Sequence, residues 1–339
     1  MYRRLTKINY AILLLATILG STLAFLPAPV SATTIVCGST ITASTTLKAD
    51  IGPCSGNAIT IGANNIVLNC AGRTISGAAI GSGIVLSGIT KARVENCEVT
   101  GFGFGIYLSG SSYNTITRNT VSGNAGNGME FDSSSNNNYV AENTANSNGG
   151  NGINLDGGGV YGNIISRNVA YSNEYNGFGI GSSSGNSFIG NTATGNGGYG
   201  FFAYESSSNN YMGNIATSNN NAGFVLIGSS YNTLIGNKAS NNGWSGFELF
   251  SSSDGTPSNA NALSMNIATR NAQSGFFLDW STGSNKLTGN MAISNAQYGY
   301  LDQSVGSGTA GTANFYKGDI CWGNGVAGSS PSGLGSPQH

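Results

Sequence analysis

Between residues 114 and 299 the chain obeys one rule eight times: Asn, four residues, Asn, four residues, Asn, three residues, Gly, then an apolar residue. The stretch "NTLIGNKASNNGWSGFELF" is one copy, with Asn232, Asn237, Asn242 and Gly246 on the marked positions. The first Asn column runs from Asn114 to Asn285, the second from Asn119 to Asn290 and the third from Asn124 to Asn295, and the glycines run from Gly128 to Gly299. The commonest step between copies is 23 residues. A unit that short cannot bury its own apolar face, so successive units must stack into one continuous core.

Between these marks apolar residues alternate with period two, the spacing of strands. Positions one and three after the first seven glycines are apolar, as in Phe224 and Leu226 or Phe247 and Leu249. Another apolar set precedes the second Asn column by three residues, and a column of alanines from Ala145 to Ala292 follows it by two. Each repeat therefore offers three short strands and three corners. Stacked about 4.8 Å apart, they predict an all-β fold, a single-stranded parallel β-helix (solenoid) of about eleven rungs and on the order of 50 Å long. Strand-to-parallel-strand crossovers are overwhelmingly right-handed, so the expected coil is right-handed. Asn and Gly are expected to turn the corners by entering the left-handed backbone region, and the stacked Asn side chains to form ladders. Repetition of one residue type through eight coils argues for architecture over a row of metal or sugar ligands.

Composition narrows the partners. Only 8% of residues are charged, yet 39% are hydrophobic and the formal net charge is -1, a balance that favours a folded chain over a disordered one. Residues 1–32 open with Arg3, Arg4 and Lys7, continue through an apolar run and end in Val30, Ser31 and Ala32, the pattern of a cleaved export signal. Without them, 10 Lys+Arg face 14 Asp+Glu, a net charge of -4 that argues against a nucleic-acid partner. No later apolar run is long enough to span a membrane. An exported chain can form disulfides, and Cys37 with Cys54 is the expected pair. Cys70 and Cys97 occupy equivalent places in adjacent rungs, where in-register stacking puts their Cβ atoms nearly 5 Å apart. That exceeds the usual disulfide span, so free thiols are expected there, and Cys321 is left without a partner.

The run "GIVLSGITKARVENCEVTGFGFGIYLSGSSYNTITRNTVSGN" resembles the right-handed parallel β-helix repeats of the pectin-lyase-like superfamily, which includes NosD-type periplasmic proteins and carbohydrate-binding and sugar-hydrolase domains. The resemblance covers about residues 57–316 and implies the fold more than any activity. A NosD-type role would imply copper. The only His is His339 and the methionines Met129, Met212, Met265 and Met291 are dispersed, so the donors copper prefers are not gathered. Tails of related secreted β-helices can carry a second cysteine, and here Gly335 stands in that place.

Function is sought on the outward positions. If positions one and three after each glycine face the core, two and four face solvent. There the chain carries Phe202, Tyr204, Val225, Ile227, Glu248, Phe250, Phe277 and Asp279, with Trp280 beside them. An exposed aromatic and acidic patch suits sugar rings and hydroxyls. The longest spacer between repeats, "SSSDGTPSNANA" at residues 251–262, brings Asp254 to its edge. On earlier rungs the same face holds Glu130, Asp132, Asn154 and Asp156, and Asp132 and Asp156 should lie about 5 Å apart. Carboxylates so placed repel unless a cation or a shared proton intervenes, and Glu130, Asp132 and Asp156 could hold calcium, though no cofactor is required. As catalytic pairs, Asp132 with Asp156 or Glu248 with Asp279 could serve a glycosidase. A lyase would also need a base, and Arg118 and Arg167 are not placed near these acids.

The expected organisation is a signal peptide (1–32), an N-terminal cap (33–56), the β-helix (57–316) and a C-terminal cap with a flexible tail (317–339). The expected role is an extracellular, cell-surface or periplasmic protein that binds a polysaccharide or another cell-surface ligand. A polysaccharide lyase or glycoside hydrolase is the alternative, and a self-associating surface protein a further one.

Overall fold

The computed structural model describes residues 34–337. The expected export signal lies outside them. Short strands form three parallel sheets of 13, 12 and 13 strands, and each strand pairs with those one coil before and after it. The first sheet collects the strands after each repeat glycine, such as Phe224–Ile227 and Phe247–Phe250. The second collects those before the second Asn column, such as Thr233–Ile235, and the third the Ala-centred strands, such as Lys238–Ser240. Residues 57–316 supply eleven strands of the first sheet, as the repeat predicts. Ser39–Ile41, Thr45–Thr46 and Ile51–Cys54 add a first coil. At the other end Ile320–Trp322, Ala327–Ser330 and Ser336–Pro337 pair onto the sheets, and Asn314, Asp319, Asn324 and Gly328 continue the four columns by one copy. Residues read as a cap and tail thus pair like further coil up to Pro337.

The core is built by like stacking on like. Phe178, Phe201, Phe224, Phe247, Phe276 and Tyr300 form one column, with ring centroids 4.6 to 5.0 Å apart. All are essentially buried. Offset aromatic stacks at this spacing add to the gain from apolar burial.

The Asn ladders are present at all three corners. Asn191 is representative: its Oδ1 accepts from the backbone N–H and the Nδ2 of Asn168, while its Nδ2 donates to Asn214 Oδ1 and to the Ile165 carbonyl. Every polar atom of a wholly buried amide is satisfied, and that requirement selects Asn over Asp, which has no N–H to donate. The second column ends at Asp319, which accepts from Asn290 and from the Lys317 backbone N–H.

Two expectations need correction. The left-handed residue at each corner is not the ladder Asn but its predecessor: Arg118, Glu142, Arg167, Gly190, Gly213, Gly236, Met265 and Gly289 before the second column all have φ between 53° and 64°. The repeat glycines have no positive φ either. A Cβ on Gly223 would lie 2.7 Å from Ala239 Cβ, 2.7 Å from the Gly246 carbonyl and 3.0 Å from Asn242 Nδ2. Glycine is needed there for close packing against the central residue of the third-sheet strand, which is Ala from Ala145 to Ala292.

The second correction concerns cysteine. Cys37 pairs with Cys54 as expected, but Cys70 and Cys97 are also disulfide-bonded, with Cα atoms 4.7 Å apart. Disulfides span Cα separations down to about 4.4 Å, and at a corner the two side chains can lean toward each other along the column, unlike parallel side chains in a strand. This bridge occupies the first two places of the second ladder, and Asn119 caps it by accepting from the Cys97 N–H. Cys321 is buried without a disulfide partner.

Candidate functional site

The site is read from the outer face of the first sheet. Strand register places Val85, Tyr107, Glu130, Asn154, Gly179 and Phe202 in one column, continued by Val225, Glu248 and Phe277. This is position two after the repeat glycine, expected to face solvent. It points away from the core, yet Val225 and Glu248 are 1% and 2% exposed and Glu130 and Asn154 each 8%. The cover comes from the turn after the third Asn column, which folds over the outward residue three positions later. Asn127 donates to Glu130, Asn151 to Asn154 Oδ1 at 2.9 Å, and the Ser245 N–H to Glu248 Oε1 at 3.2 Å. Phe104 stacks on Tyr107 at 5.7 Å and Tyr199 on Phe202 at 5.3 Å in the same relation.

Around Glu130 this cover leaves a cleft of about 560 Å³, lined by Val85, Phe104, Tyr107, Glu130 and Asp132 with Asn57, Ser82 and two glycines. Glu130 is fixed from two sides, by Asn127 and by Asn154, whose Nδ2 lies 3.1 and 3.2 Å from the two carboxyl oxygens. Burial, with smaller contributions from Asp156 and Asp132, raises its carboxyl to about 7. Tyr107 donates its hydroxyl to Asp132 Oδ2 at 3.1 Å. Asp156 begins one rung on, accepts the Gly157 N–H at 2.7 Å, and leans toward Gly181, where a Cβ would lie 2.8 Å from its Oδ1. A side chain at Gly179 would collide with Asn154 Oδ1.

The cleft itself is lined only as far as Glu130 and Asp132, and the strip of sheet that continues from it on the same face forms the rest of the trough. One end is the Phe104–Tyr107 stack. The floor is Glu130 and Asp132, then Asn154 and Asp156, then Gly179 and Gly181. The far end is Phe202, stacked on Tyr199 and Tyr204. Four rung steps separate Tyr107 from Phe202, about 19 Å.

The residues expected farther along the coil are held differently. Phe202, Tyr204, Phe250 and Phe277 are half-buried, with Phe250 and Phe277 5.1 Å apart. Trp280 is 72% exposed. Glu248 is enclosed rather than outward-facing, its Oε2 has no hydrogen-bond partner, and burial raises its carboxyl to about 7. Burial, then the Glu248 charge, pushes the Tyr199 phenol up to about 12. Asp279 is 8% exposed and accepts from the Trp280 N–H at 2.6 Å and from Ser251 Oγ at 3.3 Å, tying the 251–262 spacer to the next rung. Asp254 accepts from Ser252 Oγ and the Thr256 N–H, which hold its carboxyl below its ordinary value and shape its own loop. No hydrogen bond links Glu248 to Asp279 among the described residues.

Glu130, Asp132 and Asp156 are thus brought to one surface. Among the described residues no group of three His, Cys, Asp or Glu is arranged to hold a metal ion. Arg118 pairs with Glu95 at 2.9 Å and Arg167 with Glu142 at 2.8 Å, at the corner between the second and third sheets. Phe104, Tyr107 and Asn127 are the site residues that sequence reasoning missed. The signal available was the recurring contact three residues apart across the third corner, which a strand-by-strand reading of in and out ignores.

A family model described as a right handed beta helix region matches residues 31–168 and 163–310. No curated protein matches the chain. Among solved structures, the Dettilon tailspike protein is similar over 85% of this chain and 60% of its own, with a TM-score of 0.57 and 17% identity. The A-module of an Azotobacter vinelandii mannuronan C-5 epimerase is similar over 87% of this chain and 89% of its own, with a TM-score of 0.53 and 16% identity. The catalytic domain of a GH87 alpha-1,3-glucanase is similar over 90% of this chain and 63% of its own, with a TM-score of 0.51 and 12% identity. At such identities the likeness is one of fold. No helix among the described residues is long and apolar enough to cross a membrane.

Proposed function

The chain belongs to the right-handed β-helix family, and from that premise we propose that it is an extracytoplasmic protein that binds a polysaccharide along the first-sheet trough. The observation that carries the reading is the trough itself: aromatic stacks at both ends, and a floor of fixed carboxyl and amide groups on a rigid sheet. Aromatic faces suit the apolar faces of sugar rings, and a few convergent polar groups suit hydroxyls. The fold neighbours lend support, since one is named for mannuronan and another for alpha-1,3-glucan and was solved with nigerose. Two disulfides and the export-signal pattern support a location outside the cytoplasm.

The test is a glycan array on residues 33–339, with Tyr107→Ala and Phe202→Ala variants of unchanged thermal stability. Retention of one class of polysaccharide by the parent, weakened at least about tenfold in each variant, is expected. Equal binding by parent and variants would move the site off the trough.

A second reading, cleavage of the bound polymer, is favoured by Glu130. A carboxyl held protonated up to about pH 7 has the state a general acid needs, with Asp132 two residues on along the same face. Release of oligosaccharides that Glu130→Gln and Asp132→Asn each abolish, with binding retained, would establish it. Binding without any product from any retained polymer removes it.

A further inference from the structure

We infer that the ligand of the trough is a cationic, amino-sugar polysaccharide, a hexosamine polymer bearing free amino groups. The inference rests on the polysaccharide-binding reading above and adds the charge of the polymer.

It comes from where charge lies in the molecule. No Lys or Arg occupies any strand of the first sheet among the described residues. Apart from Lys91 and Arg270, every basic residue after residue 34 lies in the second or third sheet or at the corner joining them. Arg270 precedes a first-sheet strand six rungs beyond Glu130, about 29 Å away. Lys91 stands at the first-to-second corner, on the rung of Ser82–Ser87, and does not line the cleft. All three ion pairs, Arg93 and Arg118 with Glu95 and Arg167 with Glu142, are on the other side of the coil.

The trough floor, in contrast, gathers Glu130, Asp132 and Asp156 with nothing basic among them. The groups that touch the acids are neutral: Tyr107 on Asp132, Asn127 and Asn154 on Glu130, and the Gly157 N–H on Asp156. Hydrogen bonds fix these carboxyl groups, and no basic side chain among the described residues pairs with them. Asp132 and Asp156 follow the paired strand residues of neighbouring rungs and carry formal charges of one sign with no cationic side chain between them. A polyuronate would bring further carboxylates to this face with no guanidinium or ammonium to receive them. An ammonium group on the sugar relieves the repulsion and donates to the same oxygens, while ring faces stack on Tyr107 and Phe202. Ammonium over an aromatic face adds a favourable contact of its own.

Binding of the mature protein to three soluble probes of matched length tests this: glucosamine oligomers, their N-acetylated counterparts and galacturonate oligomers. The glucosamine oligomer should bind at least about tenfold tighter than the acetylated one at low salt, with the gap narrowing as screening rises, and the galacturonate oligomer should not bind. Because a protein of net negative charge attracts polycations generally, two double variants of equal charge are compared. Asp132→Asn with Asp156→Asn should lose the preference, and Glu98→Gln with Glu142→Gln, on the far sheets, should keep it. Equal loss in both would show diffuse attraction and overturn the inference. Binding of galacturonate as tight as glucosamine, or no difference between acetylated and free amines, would overturn it while leaving the polysaccharide reading standing. Binding to no carbohydrate by the folded protein would remove both.

Discussion

At the residue scale, the repeat is a set of exclusions. The glycine column excludes a methyl group: Gly223→Ala must push Ala239 or the Gly246 carbonyl aside and should cost about 1–3 kcal/mol in denaturant unfolding. Gly236, with φ of 64° and open space around its Cα, should lose about 1–2 kcal/mol on the same change, for backbone reasons alone. The two can be told apart by adding room: trimming Ala239 to Gly should partly offset Gly223→Ala, since the Gly246 carbonyl stays in place, and give Gly236→Ala no such relief. Asn191→Asp should cost more than either. It removes both N–H donors, leaving the Ile165 carbonyl unpaired and setting a carboxylate against Asn214 Oδ1, a loss of about 2–4 kcal/mol.

The element scale is the corner. The turn after each third-column Asn covers the outward residue three places on, and so buries two acids that lie in one stripe five rungs apart, Glu130 and Glu248. Burial raises each from an ordinary 4.5 to about 7, so the folded chain holds these protons more tightly than the unfolded chain does. Their stabilising contribution is complete below about pH 4.5 and is lost as pH rises through about 7. Asp319 acts likewise, from 3.8 to about 6. Thermal stability should therefore fall between pH 5 and pH 8, and Glu248→Gln should flatten much of that slope. A profile that rises over this range would contradict the enclosed geometry of Glu248. Tyr199→Ala, which removes a ring two rungs before Glu248 whose phenol feels the acid's charge, should move the acid's titration back toward the ordinary carboxyl range, as read by carboxyl carbon NMR.

At the scale of the whole molecule, stability is a sum over neighbouring coils, and a coil at either end has a neighbour on only one side, so fraying spreads inward from the ends, as through the first three described coils. Both disulfides are there. Cys37–Cys54 closes a separation of 17 residues and Cys70–Cys97 one of 27. Replacing the second pair by serines should cost about 2–4 kcal/mol and fray the N-terminal rungs first. Hydrogen exchange should show protection lost around residues 59–100 with the central rungs retained; uniform loss along the coil would argue against nearest-neighbour stability.

The repeat itself determined the class of fold, the three strands per coil, the aromatic column and the ladders, because stacking identical positions leaves each residue type one role to play in every rung. It was legible even that Glu130, Asp132 and Asp156 share a face. Three things were decided only by the assembled coil. Which corner residue turns left-handed depends on where the amide must point to reach the next rung. Whether Cys70 and Cys97 can bond depends on how side chains lean at a corner. Whether an outward residue meets water depends on the turn folded over it, and this is why Glu248 is enclosed while Glu130 borders a cleft whose walls, Phe104 and Tyr107, come from the preceding rung. Sequence period sets which residues recur; solvent access is a property of neighbouring rungs and their turns together, and only the tertiary structure brings those into contact.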